Sequence, residues 1–267
     1  MSTAGVQLES VRALLKREPD ATLKALAEIG FKEAEGNRAE VLALAPKLKQ
    51  FGIAARSCVV EVPLITNNWE PYPELKPLSL GEAIDGVAAA GIPFFTMGYI
   101  SPGARGDGDD FYRRTADRMN AAGELCRKAG IRFGWQTHAF EFGGRAGARP
   151  VDIYLQRIEP KLVSVELDVF WASVAGQDPL KLLRDWKGHV PLLRLNDLTK
   201  GFPRQTDEQI AQGAYALLGE GAIDLAAVLK AAAGAGVEYC FTGQNQNPDD
   251  PIGSLRAAFA SLRRLAG

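Results

Sequence analysis

The chain has 267 residues, 46% hydrophobic and 24% charged. That is enough for one large α/β domain with a sizeable core, and a second domain is not required. Its 31 basic and 32 acidic residues leave a formal net charge of -1, so no long-range field draws in nucleic acid or an anionic membrane. Glu9, Arg12, Lys16 and Arg17 come too early for the apolar core of a signal peptide. The most apolar stretch, 86–100, is too short to span a bilayer and is broken by Pro93. Cys58, Cys126 and Cys240 are scattered and odd in number, so a reduced, cytoplasmic protein with core thiols is expected. There are only two histidines, His138 and His189. A multinuclear hydrolytic metal site usually draws on more.

Val6 to Leu8 reads as a first short strand ending at Glu9, followed by a helical turn from Ser10 to Leu15. Asp20 opens a clearer helix, with Leu23, Leu26, Ala27 and Ile29 on one face and Gly30 as its stop. Phe31 to Glu35 is the second strand, and Val41, Leu44, Ala45 and Leu48 mark the second helix. Ile53 to Val62 holds the third strand. A polar loop with Trp69 and Tyr72 follows, and then Ser79 and Glu82, spaced as a capping box, open the third helix. Pro93 to Met97 is strand four, and Phe111 to Lys128 is a long helix stopped by Gly130.

Strand five runs through Phe133-Gly134-Trp135-Gln136-Thr137-His138. Alternation puts Gly134, Gln136 and His138 on one face and Phe133, Trp135 and Thr137 on the other. A glutamine and a histidine on the inner face at a strand's exit are poor core residues and point to a ligand. Val151 to Ile158 is a helix, Leu162 to Leu167 is strand six ending at Asp168, and Leu180 to Trp186 is a helix. Val190 to Leu195 is strand seven. A long loop, 198–221, precedes the helix Leu225 to Ala233. Tyr239 to Thr242 is strand eight, and Ile252 to Leu265 closes the chain as a helix.

About eight strand–helix alternations mean a parallel sheet with right-handed crossovers. In this length they fit a single-domain (β/α)8 TIM barrel over 1–267 better than an open doubly wound sheet, and no Gly-x-Gly-x-x-Gly follows an early strand. The site of such a barrel lies at the C-terminal ends of its strands. Those ends are Glu9, Glu35, Glu61, Tyr99, Gln136, His138, Asp168, Arg194, Asn196, Gln244 and Asn245. Trp69, Trp135, Phe170 and Trp171 rim the mouth, and aromatic walls with convergent polar groups suit a small molecule.

Several strand ends carry familiar words. Gly134-Trp135-Gln136-Thr137-His138-Ala139-Phe140-Glu141-Phe142 resembles the Gly-Tyr-His-Asn-His-Ala-Phe-Glu-Phe segment of xylose-isomerase-like sugar phosphate isomerases/epimerases. Glu166-Leu167-Asp168-Val169-Phe170-Trp171 resembles that family's Glu-Leu-Asp-Val-Tyr-Trp. Leu193-Arg194-Leu195-Asn196-Asp197 is similar to its Leu-His-Leu-Lys-Asp, and Gly219-Glu220-Gly221-Ala222-Ile223-Asp224 to its Gly-Glu-Gly-x-Ile-Asp. Thr242-Gly243-Gln244-Asn245-Gln246 falls on its Val-Glu-Gln-Asp.

The resemblance implies a sugar isomerase or epimerase, with one divalent cation held by residues from strands five to eight. The positions matched here are Gln136, Asp168, Arg194 and Gly243, and only Asp168 keeps a ligand type. Arg194 keeps its proton and puts a positive charge where the cation would sit. The expectation is therefore an enzyme with no metal and no other cofactor. It would transfer a proton next to a carbonyl in isomerisation, epimerisation or elimination.

The candidate catalytic residues are His138, Arg194, Asp168, Glu61 and Glu9. Arg194 would polarise a substrate oxygen, and His138, whose ordinary pKa is ~6.5, would move the proton with Glu61 or Glu9. Asp168 and Arg194 are equally readable as an ion pair left where a metal was lost. Glu35 reads as a solvated loop carboxylate and Glu166 as structural. Gln136, Asn196, Gln244, Trp135, Trp171 and Tyr99 would bind substrate. Arg145, Arg149 and Lys200 could hold a phosphate or a carboxylate, or be solvated loop charges. A small-molecule substrate and a homo-oligomer are the only partners expected, with neither nucleic acid nor membrane. Two other readings stand beside this one. One is a binding barrel without chemistry. The other is a metal enzyme whose ligands moved to Asp168, His138, Glu61 and Glu9.

Overall fold

The computed structural model describes residues 4–75, 78–106, 108–243 and 249–266. Eight parallel strands close a barrel: β1 Gly5–Gln7, β2 Glu33–Asn37, β3 Ala54–Val60, β4 Phe94–Met97, β5 Arg132–Gln136, β6 Val163–Asp168, β7 Leu192–Leu195 and β8 Tyr239–Thr242. Each strand pairs with its sequence neighbours, and β1 pairs with β8 to complete the ring. The strands and alternation expected from the sequence are all present, and most ends fall within a residue or two of expectation.

Local chemistry sets the connections. Gly30 ends the helix Pro19–Ile29 at φ 116°, a conformation that L side chains avoid. Ser79 and Glu82 form the capping box: Ser79 Oγ accepts from the Glu82 N–H at 3.2 Å, and Glu82 accepts from the Ser79 N–H at 2.9 Å. Side chains on the outer faces of the strands pack on the helices in one large buried core. Inside the barrel, Phe94, Leu192 and Phe241 fill the bottom with a separate apolar layer. Because alternate residues share a face, Thr96 and Arg194 lie one step above that layer, toward the C-terminal ends. Among the described residues no helix is long and apolar enough to cross a membrane.

Three local features differ from the sequence reading. β1 stops at Gln7, and Glu9 lies on a 3-10 turn, Leu8–Val11, rather than on the strand's end. Asp168 caps an extra helix, Val169–Val174, by accepting from the N–H groups of Phe170 and Trp171 at 3.0 and 3.1 Å. The long loop after β7 contains a small antiparallel ribbon, Asp197–Leu198 with Tyr215–Ala216. Asp197, 1% exposed, accepts from the N–H groups of Leu198, Gly219, Gly221 and Ile223. A Cβ at Gly221 would come within 2.3 Å of Asp197 Oδ1. The Leu-Asn-Asp and Gly-Glu-Gly words are therefore two halves of one turn.

Candidate active site

The centre of the barrel holds charge instead of hydrocarbon. Arg194 on β7 donates from Nε to Glu35 Oε1 at 2.7 Å and to Glu166 Oε1 at 3.3 Å, and its Nη2 lies 2.7 Å from Glu35 Oε1. Both glutamates are 0% exposed, and the arginine side chain is 12% exposed. Burial alone would lower the arginine's pKa, but the carboxylates around it raise it instead. Glu166 is held well above the carboxylate range, by burial first and by the charge of Glu35 next. Two buried carboxyls cannot both ionise beside one guanidinium at low cost. Glu166 therefore keeps its proton, and the guanidinium makes its shorter contacts to Glu35.

This corrects two expectations. Glu35 is no solvated loop carboxylate, because β2 points it inward at Arg194. The partner expected for Arg194, Asp168, is its register neighbour but makes other bonds. Asp168 Oδ1 caps the following helix, and Oδ2 receives Gln136 Nε2 at 3.4 Å. Burial pushes the Asp168 carboxyl up to about 6, against the opposing pull of Arg194.

His138 is buried beside this group. Its Nδ1 lies 3.1 Å from the carbonyl oxygen of Gln136. That oxygen can only accept, so Nδ1 carries the proton and Nε2 is left as an acceptor. Burial, helped by the charge of Arg194, lowers its pKa to about 3. His138 is therefore a neutral acceptor at neutral pH. The expectation of a histidine titrating near 6.5 fails, because the imidazolium would be desolvated next to a guanidinium. Glu141 fixes the backbone here, accepting from the His138 N–H at 2.7 Å and from Trp135 Nε1 at 2.8 Å.

Two adjoining lobes of about 480 Å³ each open above the cluster and share Glu9, Tyr99, Gln136, His138 and Arg194. The first continues past Arg38, Glu40, Glu61 and Tyr72. The second continues past Gln7, Asp168, Trp171, Asn196, Glu208 and Tyr215. Of the residues expected at the site, Trp135 does not reach it. It is fully buried on the outer face of β5, with its ring 5.0 Å from that of Tyr154. Trp69 lines neither lobe. Glu61 faces the first lobe but is held by Arg38 through two bonds of 2.7 and 2.8 Å. Glu9 is 60% exposed and lies 3.2 Å from Arg12. Gln244 and Asn245 lie outside the described residues.

Glu208 was not anticipated. The loop after β7 carries it into the second lobe, where its side chain is 5% exposed. It accepts from the Phe140 N–H at 3.3 Å and bonds the Tyr99 hydroxyl. Arg105, stacked 3.6 Å over the Phe140 ring, approaches it to 3.9 Å. Burial raises its carboxyl to about 7. No periodicity marks the 198–221 loop, so nothing in the sequence singles this glutamate out.

The cation that the resemblance implies does not fit these residues. Arg194 and its two carboxyl partners fill the strand-seven position with a paired guanidinium. At the strand-eight position, a Cβ on Gly243 would lie 2.4 Å from Gln7 Oε1 and 2.8 Å from Ser10 Oγ, so Gln7 and Ser10 take the space of a fourth ligand. A cage of relocated ligands does not assemble either. Glu61 is turned to Arg38 and Glu9 to Arg12, and the described residues bring no three of His, Cys, Asp and Glu together as a metal site.

The fold has many relatives among solved structures. A sugar phosphate isomerase/epimerase from Parabacteroides distasonis ATCC 8503 superposes with a TM-score of 0.78 at 17% identity, covering 99% of this chain and 98% of that one. The 3-keto-D-glucoside 4-epimerase YcjR from E. coli gives 0.72 at 13% identity, with 99% and 100% covered. The IOLI protein, whose crystal structure contains a zinc atom, gives 0.72 at 13% identity, with 99% and 98% covered. No curated protein matches the sequence. The sequence profile of one family matches residues 23–265, and with the closed eightfold barrel this settles the lineage: the chain belongs to the xylose isomerase-like TIM barrel family.

Proposed function

We propose that this protein is an isomerase or epimerase that moves a proton beside a carbonyl of a small, sugar-like molecule. In this reading Arg194 does the work that a divalent cation does in metal-bearing relatives. The observation that carries it is the placement of Arg194: a guanidinium locked by Glu35 and Glu166, with its exposed edge in both lobes. Fixed donors aimed at an oxygen that gains charge lower a barrier most in a water-poor cavity.

The substrate carbonyl oxygen accepts from Arg194, with Gln136 beside it. Asp168, poised near 6, takes the proton from the adjacent carbon. The C–H electron pair becomes the new C=C bond, and the carbonyl π pair moves onto the oxygen as an enolate. His138 Nε2 accepts from a substrate hydroxyl and fixes its orientation. Glu208, near 7, is the second acid in the lobe and returns a proton. Return to the same carbon from the other face gives an epimer. Return to the former carbonyl carbon, as the hydroxyl proton on the adjacent carbon passes to the enolate oxygen, gives an isomer. Loss of a hydroxyl from the next carbon along as water, with the proton from Glu208, gives elimination.

The test is solvent deuterium wash-in, followed by NMR, across aldoses, ketoses and keto-glycosides with EDTA-treated protein. Exchange at a carbon next to the carbonyl, undiminished by EDTA, is expected. Exchange that vanishes with EDTA and returns with manganese overturns the metal-free mechanism. A second reading, a barrel that binds without turnover, is favoured by the pairing of Glu61 with Arg38, which occupies one expected base. Saturable binding with no exchange anywhere in the panel would select it.

A further inference from the structure

The second lobe contains polar atoms that the protein itself does not answer. Gln7, on β1, is 8% exposed, and its Nε2 is buried with no hydrogen-bond partner among the described residues. Asn196, just beyond β7, is 6% exposed, and its Oδ1 is equally buried and unanswered there. Both residues line the second lobe with Arg194, His138 and Asp168. A buried polar atom left without a partner loses its hydration and gains nothing in exchange. One amide offers a donor and the other an acceptor. A hydroxyl group answers both at once, because it donates one hydrogen bond and accepts others.

The charges around the cavity point the same way. Among the described residues its walls carry Glu9, Glu40, Glu61, Asp168 and Glu208 against only Arg38 and Arg194. Both guanidiniums are already committed, Arg38 to Glu61 in a two-pronged pair and Arg194 to Glu35 and Glu166. Of the loop cations that could have held a phosphate, Arg149 is tied to Asp152 by bonds of 2.8 Å, and none lines either lobe. A phosphate entering here would lose its hydration and meet five acidic side chains, against two lining guanidiniums that already face carboxylates. The Tyr99 and Trp171 rings offer faces suited to the C–H side of a sugar ring.

We infer that the second lobe is a subsite for an uncharged, unphosphorylated polyhydroxylated molecule, in which Gln7 and Asn196 together hold one hydroxyl and the acidic wall rejects phosphorylated analogues. As a statement of substrate class it rests on the proposed isomerase or epimerase reading. As a statement about binding it does not.

The experiment is calorimetric titration of the full chain with unphosphorylated ketohexoses, aldohexoses and keto-glycosides, and with the matching sugar monophosphates. At least one neutral compound should bind, and its monophosphate at least tenfold more weakly. Asn196→Ala and Gln7→Leu should each weaken the neutral ligand by tenfold or more while leaving the melting temperature level or higher. Glu61→Gln, which frees Arg38, should narrow the gap to the phosphate. Equal or tighter binding of the monophosphates, unchanged affinity in both amide variants, or no binding by any neutral compound would overturn the inference. Neutral binding without deuterium wash-in defeats the enzyme reading and leaves this one standing. Wash-in restricted to a phosphorylated sugar does the reverse.

Discussion

The two lobes above the barrel share a floor but differ in how their polar groups are satisfied. In the first, Arg38 grips Glu61 through two bonds of 2.7 and 2.8 Å. In the second, Gln7 and Asn196 keep buried atoms without partners, and Asp168 and Glu208 are held as carboxyls that titrate near neutrality. Groups that complete each other stabilise a fold, and groups left incomplete wait for a ligand. In the proposed reading the chemistry therefore falls in the second lobe, and the first is an entrance wall.

The largest effect should come from removing the cation that both lobes share. Arg194→Met leaves Glu35 buried without its counter-ion, so a loss of about 3–5 kcal/mol in stability is expected. Deuterium wash-in should fall by at least ~10²-fold, the scale for losing one oxyanion donor. Urea unfolding and NMR exchange measure the two. If Arg194→Met kept full exchange, the central role of the guanidinium would be lost.

Asp168→Asn separates activity from stability within the second lobe. The native carboxyl holds its proton up to about 6, whereas in the unfolded chain it releases it near ~3.9. Between those values the folded state binds more protons, so stability falls as pH rises, and above about 6 the full cost is present. Asparagine removes that cost, by roughly 3 kcal/mol at most. The variant should therefore melt higher at pH 8 and lose at least ~10²-fold in exchange. In the unaltered protein, exchange should fall below pH 6, where the base is protonated, and above pH 7, where Glu208 loses its proton. An Asp168→Asn protein that exchanges normally would break the assignment of the base.

His138→Gln should cost roughly tenfold in exchange, the scale of one neutral hydrogen bond. The positions of both pH limbs should stay put, because the imidazole is already neutral throughout that range. A shift of either limb would return His138 to the role of proton carrier. The smallest effect on the site belongs to Trp135→Phe. It removes the donor to the buried carboxyl of Glu141 and should cost about 1–3 kcal/mol of stability. Sugar affinity, read by titration, should not change.

The strands and the identity of most strand-end residues were legible because they obey local rules. Period-two alternation placed Gln136 and His138 inward and Trp135 outward, and helix-stopping glycines marked where the next strand begins. The same alternation argued against Trp135 as a pocket wall, and its partner Glu141 lies only six residues on. What the sequence hid depends on closure of the ring. Glu35 and Arg194 are 159 residues apart, and nothing local says that β2 and β7 face each other across the barrel. The pKa of His138 was hidden for the same reason, since it depends on burial and on Arg194. Glu208 sits on a loop without periodicity, and only the folded path of that loop brings it to the mouth.

The account turns on whether a guanidinium has taken the cation's place. Manganese titration of the chelator-treated protein, followed by electron paramagnetic resonance, tests this most directly. The account predicts no stoichiometric binding and no change when Asp168 becomes asparagine. One tightly bound manganese per chain, lost in Asp168→Asn, would contradict it.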